Sequence, residues 1–174
     1  MTDQAHPGMT VSDTVTYLKQ FPDKRFDIVD GELVEVSPKP LHGRLQAELT
    51  LIIGAWLKKN PVGTVHTEVL HVLNGEQFIP DISVNAHTAD DAAYFDSPPL
   101  LAVEIRSDTQ SRPAQRRKAA RYIANGTPAV LIILPGESVE LHTPNIDPQT
   151  FKPGETVRGI PGLDGLTIDV DAIL

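Results

Sequence analysis

Residues 78–84 read FIPDISV and residues 100–106 read LLAVEIR, and these two segments carry the main signal for the architecture. Each is a short apolar run, typical of a strand in a protein interior, and each carries one acid, Asp81 in the first and Glu104 in the second. Burying a carboxylate is costly unless a cation or a metal ion compensates its charge. The two acids therefore predict a site that supplies a positive partner.

Side-chain alternation along strands suggests where the two carboxylates point. Asp81 shares a face with Ser83, and Glu104 shares a face with Arg106, because side chains repeat every two residues. If these strands are neighbours, the carboxylates converge, and oxygen ligands of this kind suit Mg²⁺ or Mn²⁺. In the alternative interpretation, Asp81 closes a turn after Pro80 and Glu104 pairs with Arg106.

A basic segment follows the second acid. The net charge of the chain is −8, which should repel nucleic acid, because phosphate binding depends on Lys and Arg releasing counterions. DNA binding therefore requires a local basic patch, which this segment could provide. In the alternative interpretation, the segment is only the solvated face of a helix. The candidate DNA-binding cations are Arg112, Arg116, Arg117, Lys118 and Arg121.

Turn signals and periodicity predict the order of the elements. Asp-Gly at 30–31 and Asn-Gly at 74–75 favour hairpin turns, and apolar residues at three-four spacing predict a long amphipathic helix. Pro near the start and Gly after the end delimit a later helix. The predicted helices span about 11–20, 41–59 and 112–124; the predicted hairpins span 26–36 and 64–84; further strands fall at 100–106, 129–134, 138–142 and 166–170.

This order predicts a single α/β (α+β) domain over residues 10–174, with a mixed central β-sheet flanked by helices, preceded by a flexible segment over 1–9. The 174 residues suffice for one domain with a substantial core. The chain has no cysteine, which excludes disulfides and thiolate zinc sites and fits a reducing compartment. Without a membrane-length apolar run or a signal-peptide pattern, the expected location is the cytoplasm.

The order of these features resembles the PD-(D/E)XK nuclease fold, and more narrowly the Uma-type restriction endonuclease family of small bacterial proteins. The similarity extends from about residue 10 to residue 174 and rests on the order and spacing of its marks. The marks are FDIVDGELV at 26–34, His42 at the start of the long helix, Pro80-Asp81, Val103-Glu104-Ile105, KAARY at 118–122 with Gly126, and IPGL at 160–163.

The resemblance implies roles for the acids and the lysine. Asp81 and Glu104 match the two metal-binding acids, and Glu32 matches an acid that could complete the metal shell. Asp27 stands where the family usually has glutamate and is a weaker candidate. Lys118 matches a lysine that orients the attacking water or stabilises developing charge.

Three further positions carry expectations. Arg106 stands where the superfamily motif has its lysine, and an arginine there can clamp phosphate but is a poor proton carrier. His42 matches a histidine that could contact phosphate or shuttle a proton, or have no chemical role, and Gln46 shares its helix face. Asp108 departs from the family pattern and could bind metal or cap the next helix.

The resemblance implies a metal-dependent endonuclease that hydrolyses phosphodiester bonds in DNA with Mg²⁺ or Mn²⁺. In that reaction the metal activates water and stabilises the charge of the transition state. Asp81, Glu104, Lys118, Arg106 and His42 are the expected catalytic residues. The alternative is a catalytically inactive nuclease-fold protein that serves as a binding or assembly module, as a homodimer, because the acidic net charge and Arg106 at the lysine position weaken the enzymatic interpretation.

Overall fold

The computed structural model describes residues 5–6, 8–37, 39–86, 91–108 and 110–174. Three α-helices and thirteen strands lie within them. The helices are α1 (Val11–Gln20), α2 (Pro40–Leu57) and α3 (Arg112–Ala124). The strands are β1 (Ala5–His6), β2 (Arg25–Val29), β3 (Glu32–Val36), β4 (Thr64–Thr67), β5 (His71–Leu73), β6 (Glu76–Phe78), β7 (Ile82–Asn85), β8 (Leu101–Ile105), β9 (Val130–Leu134), β10 (Ser138–Thr143), β11 (Ile146–Phe151), β12 (Thr156–Val157) and β13 (Ile168–Asp169), and a short 3₁₀ helix follows at Val170–Ala172.

A six-stranded sheet with the order β11-β10-β9-β8-β7-β4 forms the centre of the molecule. Its strands are antiparallel except β8 and β9, which run parallel and pair Val103 with Leu131. Parallel neighbours need a crossover connection, and α3 supplies it. The sheet is therefore mixed, as predicted.

The two faces of this sheet are covered by different helices. On one face, α2 buries Leu45, Leu49 and Ile53 in a cluster that includes Val103 and residues of the C-terminal segment. On the other face, α3 packs Ala119 and Tyr122 in a cluster with Ala102, Val130 and Ile132. Residues 102 and 103 face opposite sides because strand side chains alternate. The predicted α+β domain with a mixed central sheet flanked by helices is confirmed.

Local signals fix the helix starts. Thr10 caps α1, with Asp13 completing a reciprocal capping box, and the Ser111 side chain accepts a hydrogen bond from the Ala114 backbone N–H at the start of α3. Pro113 lies in the first turn of α3, where its missing N–H costs nothing. The predicted positions of the helices therefore agree closely with the structure.

The region after residue 143 contains more strand than predicted. β11 extends the central sheet at its edge by pairing with β10, although it contains Pro148 and is mostly exposed. The proline and the polar residues of β11 are not typical of a strand, because only an edge strand tolerates them. The sequence pattern therefore does not predict this strand. The prediction of a single short strand in this region is wrong, since β11, β12 and β13 are all present.

The second predicted hairpin divides into two ladders. β5 pairs with β6 around the predicted turn, whereas β4 pairs with β7 in the central sheet. Glu68, between β4 and β5, has φ 58°, a left-handed conformation that ends the regular pairing. Most of the segment 1–9 lies outside the described residues, and the backbone of Ala5–His6 pairs with Leu33 and Val34, so its predicted flexibility stays a prediction.

Gly63 provides a test of packing at the edge of the sheet. Gly63→Ala is expected to destabilise the protein by about 1–3 kcal/mol, because the new Cβ would collide with the carbonyl oxygen of Asn85. Gly43→Ala is the matched control, since a Cβ there meets nothing within 4 Å, and it should stabilise α2 by about 0.5–1 kcal/mol. Urea unfolding measures both, and equal shifts would contradict the packing at residue 63.

Candidate active site

Glu104 is a buried acid with two donors on one helix. It lies in β8 with 3% of its surface exposed, and its carboxylate accepts hydrogen bonds from Lys118 Nζ at 2.8 Å and from the Tyr122 hydroxyl at 2.9 Å. Burial raises the pKa of Glu104 to about 8; Lys118 opposes this rise, whereas Asp27 and Asp81 add to it. The acids are thus close enough to influence one another's charge.

Lys118 bridges two carboxylates. Its Nζ lies 2.6 Å from Oδ1 of Asp27 as well as 2.8 Å from Oε2 of Glu104. Burial lowers the pKa of Lys118, but the two acids outweigh burial and raise it overall, so the ammonium form is held. Asp27, in β2, is itself fixed by the amide of Gln110 at 3.1 Å and by the backbone N–H of Ile28 at 2.7 Å.

Asp81 lies directly before β7 and is fixed at both carboxylate oxygens. Its Oδ1 lies 3.0 Å from Nε2 of His42, at the start of α2, and its Oδ2 accepts the backbone N–H of Ile105 at 2.6 Å. Burial lowers the pKa of His42, but the hydrogen bond and the charge of Asp81 outweigh burial and raise it overall. This arrangement favours an imidazolium beside a carboxylate.

The register of the central sheet explains why the two acids meet. Ile82 pairs with Val103 in the β7–β8 ladder, so continuing that register by one residue would set Asp81 opposite Glu104. The carboxylates lie at the ends of neighbouring strands. Asp81 contacts α2 through His42, whereas Glu104 contacts α3, and the site therefore lies between the two helices.

Gln46 and Glu68 hold the peptide around Asp81. The Gln46 amide donates to the Asp81 carbonyl at 2.9 Å and to Glu68 Oε1 at 3.0 Å, and Glu68 pairs with Arg25 at 2.8 Å. The Glu68 backbone N–H donates to the Pro80 carbonyl at 3.2 Å. Glu68 has a left-handed backbone conformation, which is strained for a residue other than glycine. Such strain tends to persist where the surrounding contacts hold a functional group in place.

Glu32 and Asp27, the two candidates for a further acid of the site, lie at different distances from it. Glu32 lies opposite Val29, next to the hairpin turn, and within the described ranges no hydrogen bond or ion pair joins it to Asp81 or Glu104. Asp27 is on the same face of the hairpin, but further from the turn, where it reaches Lys118. The geometry therefore favours Asp27 over Glu32 as the third acid of the site.

Arg106 and Asp108 contact other partners. Arg106 forms an ion pair with Glu137, at the turn between β9 and β10, and the alternative in which it pairs with Glu104 is wrong, because Lys118 and Tyr122 take that carboxylate. Asp108 forms an ion pair with Lys39. The cap of α3 is Ser111, not Asp108.

Acids neutralise most of the basic face of α3. Arg116 makes two hydrogen bonds to Glu140, at 2.9 and 2.7 Å, and Arg112 reaches the same carboxylate at 2.8 Å. Arg121 pairs with Glu76 at 2.8 Å. These acids come from distant strands, so the sequence pattern of the helix does not reveal them.

The remaining two cations of α3 differ in exposure. Lys118 is 9% exposed and committed to the candidate site. Arg117 is exposed, and no ion pair involves it in the part of the chain that the structure describes. The five predicted DNA-binding cations do not form one free patch.

Glu140 should make the free energy of unfolding depend on pH in the acid range. Burial alone would raise its pKa, but hydrogen bonds from Arg116, Arg112 and His142 lower it from 4.5 to about 2. Its stabilising contribution is therefore present above pH 4.5 and is lost as the pH falls towards about 2. We expect Glu140→Gln to be less stable than the parent by roughly 2–3 kcal/mol at neutral pH.

Urea unfolding of both proteins across the acid range measures this difference, which should shrink towards zero at low pH. Glu35→Gln is the matched control, because Glu35 forms an exposed pair with Lys24 and such pairs contribute about 1 kcal/mol or less. A pH-independent difference for Glu140→Gln would contradict the assignment of its ionised form.

The donor set of the site is suited to a hard divalent cation, although no ready-made cage exists in the described ranges. Among the described residues, no group of three or more His, Asp or Glu side chains is arranged to hold a metal ion. Mg²⁺ does not require such a group, since it commonly binds through one or two carboxylates and retains water. Asp81 and Glu104 each have unused lone pairs, because a carboxylate can accept about four hydrogen bonds.

Two contributors to the site are not evident from the sequence alone. Tyr122 donates to Glu104, and the available signal is its position four residues after Lys118, one turn along the same helix. Glu68 supports the peptide before Asp81 from a segment without a recognisable motif. Both depend on tertiary contacts rather than on local spacing.

Comparison with known proteins identifies the fold and the family. The fold is that of a nuclease-like α+β protein: the crystal structure of "a putative nuclease belonging to DUF820" from Anabaena variabilis ATCC 29413 has a TM-score of 0.78 and 20% sequence identity, covering 95% of this chain and 97% of that chain. At that identity the likeness shows a shared fold. The chain belongs to the Uma2 family, described as "Putative restriction endonuclease", whose model matches residues 14–171.

The predicted family resemblance and restriction-endonuclease-like fold are thus confirmed. No curated protein matches the sequence. None of the helices in the described ranges has the length and apolar character needed to cross a membrane.

Proposed function

We propose that the protein is a metal-dependent endonuclease that hydrolyses phosphodiester bonds in DNA. The observation that carries this proposal is the meeting of Asp81 and Glu104 at the ends of neighbouring strands, with the Lys118 ammonium 2.8 Å from Glu104. Membership in a restriction endonuclease family supports the same reaction class. Two carboxylates and one buried lysine provide the charges that phosphodiester hydrolysis requires.

Asp81 and Glu104 would hold the divalent cation, Mg²⁺ or Mn²⁺, with Asp27 as the nearest further carboxylate. Such a cation would activate water and stabilise the negative charge of the transition state. To hold the cation, Glu104 would give up part of its bonding to Lys118, and the Tyr122 hydroxyl would keep one carboxylate oxygen oriented. Asp81 is oriented by the Ile105 backbone N–H.

Lys118 and His42 supply positive charge from the two helices. Lys118 can keep its hydrogen bond to Asp27 while it approaches a scissile phosphate, because its Nζ has three donors. His42 contacts Asp81 and is available as a phosphate contact or proton carrier. Arg106 would have to leave Glu137 before it could clamp phosphate.

A second candidate function is a non-catalytic binding module that keeps the nuclease fold. The observation in its favour is that Lys118 and Tyr122 together occupy both oxygens of Glu104. In that case the Lys118 ammonium permanently takes the position of the divalent cation. The two candidates differ in whether Mn²⁺ displaces the lysine.

Titration calorimetry with Mn²⁺ and a plasmid-nicking assay with Mg²⁺, Mn²⁺ or EDTA test the proposal together. We expect binding heat that is reduced in Asp81→Asn and nicking that requires the metal. Absence of both heat and nicking, in a protein that unfolds cooperatively, would favour the binding module. A crystal soaked in Mn²⁺ would then be expected to retain the Lys118–Glu104 contact.

A further inference from the structure

The charges of α3 leave open where a DNA strand would contact this protein. Arg112, Arg116 and Arg121 are neutralised by Glu140 and Glu76, so they have little charge to offer to phosphate. A phosphate-binding surface needs cations that release counterions rather than cations already paired. Apart from Arg117, such cations must be sought on other elements.

An open groove of about 810 Å³ follows the outer side of α2, and we call it the α2 groove. Arg25 and Gln46 line the end next to the candidate site, and Lys58 and Lys59 line the far end. Thr67, at the end of β4, forms part of the opposite wall. The groove is next to the site, because Gln46 lines the groove and donates to the Asp81 carbonyl.

Small side chains make the floor of the α2 groove accessible to a bulky chain. Gly43, Ala47, Gly54 and Ala55 line it. A Cβ at Gly43 would meet nothing within 4 Å, so the groove is open there. The distance along the helix from Gly43 to Lys58 is roughly 22 Å at about 1.5 Å per residue. This matches about six to seven nucleotide steps of one strand, at about 3.4 Å per step along the duplex axis.

The charge of the α2 groove is opposite to that of the protein. Lys58 and Lys59 are exposed, and neither has an ion pair within the described part of the chain, whereas the net charge of the protein is −8. Among the residues that the structure describes, no acid lines the groove. The nearby acids Glu48 and Glu68 are paired with Arg44 and Arg25, respectively.

We propose that the α2 groove binds the sugar–phosphate backbone of the DNA substrate, with Lys58 and Lys59 as phosphate contacts. The inference rests on the proposed nuclease function and identifies α2, not the basic face of α3, as the main substrate surface. Arg25, at the end of the groove nearest to Asp81, is paired with Glu68, so the positive charge of the groove comes from the two lysines. The small residues let a phosphate backbone approach the helix closely.

Fluorescence anisotropy of a labelled, mixed-sequence DNA duplex in EDTA tests this proposal without cleavage. The double substitution Lys58→Ala with Lys59→Ala should weaken binding about 10- to 50-fold at low salt and reduce the slope of log K against log salt by about 2. Replacing both lysines by arginine should restore the slope, since the charge is retained. Lys152→Ala, just after β11 at the far edge of the central sheet, is the matched control and should leave the slope nearly unchanged. Arg117→Ala tests the competing surface on α3.

A steric and electrostatic pair of variants provides a second readout. Ala55→Glu places an acid in the α2 groove, whereas Ala120→Glu places one on the exposed side of α3. We expect only Ala55→Glu to weaken DNA binding, by about tenfold or more, because its charge repels phosphate. Thermal unfolding of each variant checks that the fold is intact.

Three outcomes would overturn the inference. The first is an unchanged salt slope in the double lysine variant, and the second is a larger loss in Arg117→Ala or Ala120→Glu than in the α2 variants. The third concerns Leu51, which lines the groove and is 72% exposed. If the parent protein is a dimer, and Leu51→Asp dissociates the dimer without altering DNA binding, a second copy of the chain covers the groove.

The same measurements separate this inference from the proposed function. If the parent protein binds DNA through Lys58 and Lys59 but does not nick plasmid, the groove stands and the nuclease proposal fails. If the parent nicks plasmid and the lysine variants nick and bind equally well, the nuclease proposal stands and the groove fails. A parent that shows no affinity for DNA would overturn both.

Discussion

Replacement of Asp81 by Asn, or of Glu104 by Gln, is expected to reduce metal-dependent DNA cleavage by about 10²–10³-fold. Each substitution preserves shape and removes one of the two carboxyl groups that would hold the cation. The amide oxygens introduced by these substitutions would still accept hydrogen bonds from the Ile105 backbone N–H and from the Tyr122 hydroxyl, so the fold should be retained. The initial rate of nicking of a supercoiled plasmid in Mg²⁺ measures the loss.

The matched control is Asp147→Asn, because Asp147 is an exposed acid in β11, at the far edge of the central sheet. It lowers the negative charge of the protein by the same amount without touching the site. Parental nicking rates in both site variants would refute the assignment of Asp81 and Glu104. Loss in only one variant would restrict the metal-binding role to that acid.

The largest expected loss of stability follows from Lys118→Met. Lys118 is the buried cation between Asp27 and Glu104, and removing one partner of a buried ionic group typically costs about 3–5 kcal/mol. We expect about 3 kcal/mol here, because Glu104 can take up a proton instead of remaining charged. The free energy of unfolding in urea measures this change.

The pH dependence of that loss has a definite sign. The pKa of Glu104 is raised from 4.5 to about 8, so its protonated form is favoured between these values and the parent loses stability as the pH rises through them. In Lys118→Met the ionised form of Glu104 lacks its counter-charge, and the deficit should therefore grow with pH. A deficit that is constant with pH would indicate that the cost is one of packing.

Adding Glu104→Gln to Lys118→Met provides the control. The double variant has no buried carboxylate at residue 104 to ionise, so it should regain part of the lost stability and the pH dependence should become weaker. The same double variant should remain inactive in the nicking assay. A restored fold without activity would separate the structural role of Lys118 from its proposed catalytic role.

Local chemistry explains which features the sequence predicted well. The Asp30-Gly31 turn and the helix α3 follow from residues within a few positions of one another, and each is found where the sequence places it. β11 escaped prediction for the opposite reason. Its strand character comes from pairing with β10 at the sheet edge, and its own residues include Pro148.

The candidate site also combines features that the sequence predicts with features that depend on tertiary contacts. Asp81 and Glu104 are visible in the sequence because a single acid in an apolar strand is conspicuous. Local spacing does not show which partner each acid has, because His42, Lys118 and Tyr122 come from two different helices. His42 and Lys118 were expected at the site only through the family resemblance. A local pattern suggested Arg106 as the partner of Glu104, whereas packing of α3 on the sheet brought Lys118 there instead.

Local propensity and spacing were sufficient to specify the first hairpin, the helices, the two strand-end acids and the family resemblance. The pairing of the charges, in contrast, depends on how the elements pack. Glu140, in β10, neutralises two arginines of α3. Lys58 and Lys59, in contrast, have no ion pair in the described ranges and line the α2 groove. Electrostatic pairing acts through space, so basic residues that look alike in the sequence differ in the charge that they can offer to a ligand.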